Sequence, residues 1–180
     1  MKTATFQTVS RFHGHVCPGL AIGYRMTLAA LDALRERRAE DEEIVAIVEN
    51  DACGVDAVQF LSGCTFGKGN LIFRDYGKSV YTFYARATGE GVRVAWQADA
   101  LPDAIQKDRS AAIDWILSAP EEVLVAVQRV HLEPPAHAIL RRSVACDACG
   151  ERVMETKTHT VNGQTLCTPC WQARTRGDPT

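Results

Sequence analysis

The chain reads as an α+β domain with a mixed β-sheet, followed by a small module that a metal ion helps to fold. Three observations predict this. A helical pattern behind Pro18, a continuous β-branched run at 44–48 and several short strand patterns alternate through the first three quarters of the sequence. Cys146, Cys149, Cys167 and Cys170 then form C-x2-C, seventeen residues, C-x2-C. Pro134-Pro135 separates the two parts, because neither residue donates to a β-ladder and each restricts its predecessor. The expected domains are residues 1–137 and residues 138–180.

Each element has a local reason. The segment before Pro18 is expected to be extended. Pro18 suits the first helical position, and Leu20, Tyr24, Leu28, Leu31 and Leu34 recur near the helical period until the charged run Arg35 to Glu43. Residues 44–48, Ile-Val-Ala-Ile-Val, read as a central strand buried on both faces. Val55, Val58 and Leu61 space a short helix that stops at Gly63, and Gly67-Lys68-Gly69-Asn70 turns the chain. Strands are expected at 70–76, 79–86 and 92–97 as an antiparallel meander, joined through Tyr76-Gly77-Lys78 and Gly89-Glu90-Gly91. Pro102 opens another helix through Ile105, Ile113, Ile116 and Leu117, and residues 123–132 alternate as a last strand, with a helical reading also open.

Bulk composition narrows the function classes. The 180 residues are 46% hydrophobic and 23% charged, the proportions of a soluble globular protein. A net charge of -2 gives no general attraction to nucleic acid or membrane. The first residues show no apolar run behind a basic start, and no stretch approaches a membrane helix, so a cytoplasmic protein is expected. Seven cysteines are an odd count whose spacing favours metal over disulfides. The tail quartet supplies the four thiolates of a closed structural Zn²⁺ site on two knuckles separated by a hairpin.

A second constellation lies at His13-Gly14-His15-Val16-Cys17-Pro18-Gly19. In an extended chain, side chains at 13, 15 and 17 point to one side. Cys17 occupies the N-cap position, where free N–H groups and the helix dipole favour its thiolate as nucleophile or ligand. Cys53 falls where the strand at 44–48 ends and a helix begins, and Cys64 follows Gly63 at the far end of that helix. Either is placed for metal or redox work, or is an ordinary packed thiol. The loop Gly63 to Asn70 is not a Walker A motif, since only three residues separate Gly63 and Gly67 and no hydroxyl follows Lys68. Lys68, Arg74 and Lys78 define at most a local anion patch, and His131, His137 and His159 read as structural. No G-x-S-x-G, H-E-x-x-H or G-x-G-x-x-G pattern occurs.

Three stretches together carry a family resemblance: His13-Gly14-His15-x-Cys17-Pro18-Gly19-Leu20-Ala21-x-Gly23-Tyr24-Arg25-Met26, Cys53-Gly54-Val55-Asp56-Ala57, and Gly63-Cys64-Thr65-x-Gly67-Lys68-Gly69-Asn70. The sequence resembles the FmdE family, whose name comes from formylmethanofuran dehydrogenase, and some members carry a similar zinc-finger tail. The resemblance implies a thioredoxin-like core with a mixed five-stranded sheet flanked by helices, and a homodimer. It also implies an association with molybdenum or tungsten formylmethanofuran dehydrogenase metabolism. Thioredoxin chemistry is not implied, because Cys17-Pro18-Gly19-Leu20 lacks the second cysteine of a C-x-x-C pair.

The leading expectation is a metal-binding accessory protein. A structural zinc sits in the tail, and an open core site uses His15 and Cys17 with Cys53 or Cys64, and with His13 as a further donor. Such a donor set suits Zn²⁺, Ni²⁺ or Cu. The alternative is an enzyme, or a component of one, in one-carbon metabolism in which His15 activates Cys17 as nucleophile or redox thiol. A third reading makes the tail a docking module.

Overall fold

A computed structural model describes residues 4–176 apart from 98, 132 and 134. The chain divides into two compact units, Met1–Ala138 and Ile139–Thr180.

The first unit opens with a helix where extended chain is expected. In α1 (Phe6–His13), the Thr5 side chain accepts from the Thr8 N–H as N-cap, and Gly14 ends the helix at φ 96°. Phe6, Val9 and Phe12 recur at helical spacing, but over only 8 residues, so the pattern is a weak signal in the sequence. The Phe6 ring meets Tyr24 edge-on at 5.5 Å, and the Tyr24 hydroxyl donates to the Ala4 carbonyl, which seats α1 on the next helix. That helix, α2 (Pro18–Leu34), begins at Pro18 with Cys17 as N-cap, as its sequence predicts.

Strand β1 (Ile44–Val48) is buried at every position. Helix α3 (Gly54–Ser62) follows, and β2 (Leu71–Phe73) then returns parallel to β1, with Ala46 opposite Leu71 and Val48 opposite Phe73. This corrects the expected meander. The helix between β1 and β2 supplies the crossover that a parallel pair needs. Residues 74–79 then carry the chain to the other side of β1. There β3 (Val80–Ala85), β4 (Glu90–Trp96) and β5 (Val125–Val130) pair antiparallel, giving the mixed order β2-β1-β3-β4-β5. The long helix expected from Pro102 is broken. A single 3₁₀ turn at Asp103–Ile105 precedes α4 (Arg109–Ser118), because the Asp108 carboxylate accepts from the Ser110 and Ala111 N–H groups and caps a new start. A short α5 (Glu121–Leu124) leads into β5. Residue 132 of the expected last strand and Pro134 of the linker lie outside the described residues.

Helices α2 and α3 pack against the sheet. Leu20, Met26, Leu34 and Val58 join Ile44, Phe83, Val92 and Val94 in one buried cluster. Each such side chain contributes about 1.5–3 kcal/mol relative to exposure. Arg25 ties α2 to the end of α4 by donating to the Ile116 and Ala119 carbonyls at 2.8 Å each.

The second unit contains two small hairpins and a helix. The pair β6 (Ser143–Ala145) and β7 (Arg152–Met154) is followed by β8 (Thr158–Val161) and β9 (Gln164–Cys167), then α6 (Thr168–Arg176). Among the described residues its buried cluster is Cys146, Leu166 and Cys167, with Val153, Val161, Cys170 and Trp171 packed against it. Among the described residues, no helix is long and apolar enough to cross a membrane.

Candidate metal centres

The core centre is assembled by a close helix crossing. A Cβ on Gly23 of α2 would lie 2.3 Å from the Cα and carbonyl oxygen of Gly54 at the start of α3, so only glycine permits this approach. A Cβ on Gly19 would lie 3.5 Å from the Cβ of Cys53, so the same crossing sets Cys53 against the first turn of α2. Cys17 stands at the N-cap of that turn. Its backbone is extended, and its sulfur accepts the Leu20 N–H at 3.3 Å.

The two histidines reach this point from the preceding segment. His13 ends α1, Gly14 reverses the chain in the left-handed region, and His15 follows. One donor atom from each of His13, His15, Cys17 and Cys53 then lies within 4.8 Å of every other. His13 Nε2 stands 4.0 Å from Cys17 Sγ, and the two imidazole centroids are 4.3 Å apart. The spacing predicts the convergence of 13, 15 and 17, but a helix end and a glycine turn produce it rather than strand alternation.

Asp56 orients His13. Its Oδ2 lies 2.7 Å from His13 Nδ1, and Gln59 Nε2 donates to Oδ1 at 3.3 Å. With its proton on Nδ1, His13 turns an unprotonated Nε2 toward the sulfurs. Burial raises the Cys53 thiol above its ordinary pKa, and the adjacent Cys17 sulfur adds to the shift. Tyr81, whose hydroxyl a Cβ on Gly54 would meet at 2.4 Å, is pushed up to about 12, chiefly by burial. Two thiols and two imidazoles in so small a space are a donor set for a transition metal of the zinc type.

Cys64 is not brought to this centre. It is fully buried just beyond the end of α3, its sulfur donates to the Ile44 carbonyl at 3.3 Å, and burial raises its pKa. It packs as an ordinary core thiol. The glycine-rich loop beside it is structural too. Buried Asn70 donates to the Asp41 and Ile44 carbonyls, and Lys68 Nζ is held by the Glu40 and Asp41 carbonyls. His137 pairs with Glu42 at 3.2 Å, and His159 stacks on Trp171 at 4.0 Å, as structural histidines do.

A pocket of about 430 Å³ opens beside the centre, at the carboxyl ends of the parallel pair β1 and β2. That is where ligand sites collect in sheets with parallel strands. His13 and Cys53 line it together with Val48, Leu71 and Phe73, and Asp51 and Asp56 line it as well. Neither Asp56 nor the pocket follows from periodicity. The histidine at the α1 end and the strand-to-helix turn at 50–53 are the local signals.

In the second unit, Cys146 and Cys149 sit on the turn between β6 and β7, while Cys167 ends β9 and Cys170 lies in the first turn of α6. The second pair therefore straddles a strand end and a helix start instead of a second knuckle. All four sulfurs lie within 4.8 Å of one another, with Cys149 and Cys167 at 3.9 Å. Backbone N–H groups of Cys149, Cys167 and Ala148 pull Cys146 down to about 6, while the Cys167 and Cys149 sulfurs push Cys170 up to about 12. Four sulfurs this close cannot all ionise unless a cation joins them. The cluster fits a zinc-ribbon type of module.

Comparison with known proteins agrees with this architecture. A family model described as "FmdE, Molybdenum formylmethanofuran dehydrogenase operon" matches residues 12–126, which include all four core donors. A protein of Archaeoglobus fulgidus named as a probable S-adenosyl-L-methionine-binding protein is 31% identical over 175 residues, covering 81% of this chain and 48% of that protein. The chain thus spans about half the length of that curated relative. The crystal structure of a tungsten formylmethanofuran dehydrogenase FmdE-like protein from Syntrophus aciditrophicus matches over 100% of both chains, with a TM-score of 0.72 and 25% identity.

Proposed function

The chain belongs to the FmdE family, and from that premise we propose that it is a metal-binding accessory protein with two separate ion sites. The core site takes one zinc-type ion on His13, His15, Cys17 and Cys53. The tail site takes a structural Zn²⁺ on Cys146, Cys149, Cys167 and Cys170, making residues 138–180 a zinc-binding domain. One observation carries the core assignment: four soft or borderline donors, from the end of α1, the turn after it, the start of α2 and the start of α3, meet within 4.8 Å. Two thiolates balance the charge of a divalent ion, and an ion held there supplies a Lewis-acidic binding point at the edge of the pocket.

The alternative makes Cys17 a nucleophile, which calls for an accessible sulfur. Cys17 is 4% exposed and its sulfur caps α2, which favours the ligand role. The molybdenum enzyme operon in the family description and the tungsten enzyme after which the similar crystal structure is named support an association with formylmethanofuran dehydrogenase metabolism.

Metal analysis of the purified full chain tests the reading. Two ions per chain are expected, falling to one in Cys17→Ser and in Cys53→Ser. A single ion per chain that neither substitution removes would sink the core assignment.

A further inference from the structure

Four protein donors close a tetrahedral ion, so what the core site can bind depends on which donor can leave. The four are not held alike. His13 is fixed by Asp56 at 2.7 Å with its side chain 9% exposed, and Cys17 is fixed by the Leu20 N–H at the buried N-cap of α2. Cys53 is seated against the first turn of α2 beside Gly19. His15 differs on every count. It is exposed, and it belongs to the short span between α1 and α2, flanked by Gly14, around which a Cβ would meet nothing, and by Val16, which is half exposed. Its ring lies beside that of His13 and has no hydrogen-bond partner among the described residues.

We propose that His15 is the displaceable ligand of the core site, and that the position it leaves takes a neutral nitrogen donor in preference to an anion. The inference rests on the metal-site reading above and adds which ligand opens and what replaces it. Displacing His13 or Cys17 breaks a hydrogen bond to an orienting carboxylate or a helix N-terminus, whereas moving His15 needs only rotation within an exposed turn. The preference for a neutral donor follows from charge. Cys17 and Cys53 already neutralise a divalent ion, and the adjoining pocket is lined by Asp51 and Asp56 with no basic side chain of lysine or arginine among its lining residues.

The test uses the full chain with its tail filled by zinc and then titrated with Co²⁺. The difference spectrum against Cys17→Ser isolates the core ion. His15→Ala, an exposed substitution outside the buried core that gives up only the ring contact with His13, is expected to keep one core Co²⁺ with a smaller loss of affinity than His13→Ala or Cys53→Ser. Added imidazole then returns its absorption bands toward the wild-type positions, and azide does not. The proposal is overturned if His15→Ala loses core Co²⁺ as completely as Cys53→Ser, or if azide shifts the bands as readily as imidazole. Wild-type protein that takes up no core Co²⁺ at all overturns the metal-site reading itself, an outcome distinct from either.

Discussion

Asp56 decides which nitrogen of His13 faces the sulfurs. Its Oδ2 accepts at 2.7 Å from Nδ1, and Gln59 one turn later holds the other oxygen. Such a carboxylate keeps an imidazole in one tautomer and one orientation, and its loss typically costs about 10–100-fold in metal affinity. Asp56→Ala is therefore expected to weaken the core ion by about that factor while leaving its stoichiometry at saturation unchanged, as measured by chelator competition. Unchanged affinity would show that His13 is oriented by packing alone. At this scale the sequence is uneven. The cluster of His13, His15 and Cys17 is legible because the donors are neighbours in the chain, whereas choosing Cys53 over Cys64 is not. The two cysteines flank the same short helix, and only the fold shows that its first turn meets α2 while its end turns into the sheet.

At the scale of elements, the crossing of α2 and α3 is the feature on which the core centre depends. Gly23→Ala places a Cβ 2.3 Å from backbone atoms of Gly54, and backbone cannot yield as a side-chain tip can. The helices must separate, at a cost of about 1–3 kcal/mol. Thermal unfolding should move to lower temperature, and the core ion should be lost because Cys53 withdraws from Cys17. Gly67→Ala, where a Cβ meets nothing within 4 Å, is the control and should change little. Helix α2 and strand β1 are readable from pattern because each is long or uniformly apolar. The pairing of β2 is not readable, for a physical reason: three residues carry no sign of which neighbour they join, and the α3 crossover makes the choice. Helix α1 is faint in the sequence because the Thr5 cap and the spacing of Phe6, Val9 and Phe12 cover only about two turns, and its seat on α2 is set by the Phe6–Tyr24 contact.

For the whole molecule, the two units differ in what holds them. The first buries a continuous core between α2, α3 and the five-stranded sheet. The second buries Leu166 and two of its four cysteines, with four partly buried side chains around them. A module with so small an apolar core is expected to need a bound ion in order to fold. Chelation of the full chain should melt residues 139–176, seen as collapse of their amide resonances, while the first unit keeps its dispersed spectrum. Retention of tail structure after complete metal removal would refute a structural role for that ion.

Residues alone specify the tail quartet, the His-x-His-x-Cys segment and the α+β class, because each is written in spacing or composition along the chain. Tertiary structure decides that Cys53 and not Cys64 lies beside His13, His15 and Cys17, that Asp56 holds His13, and that a pocket opens next to them. Those outcomes depend on two helices approaching at Gly23 and Gly54 and on a parallel strand pair ending beside them. No local pattern encodes such contacts, since the partners lie tens of residues apart and meet only when the shared core is buried.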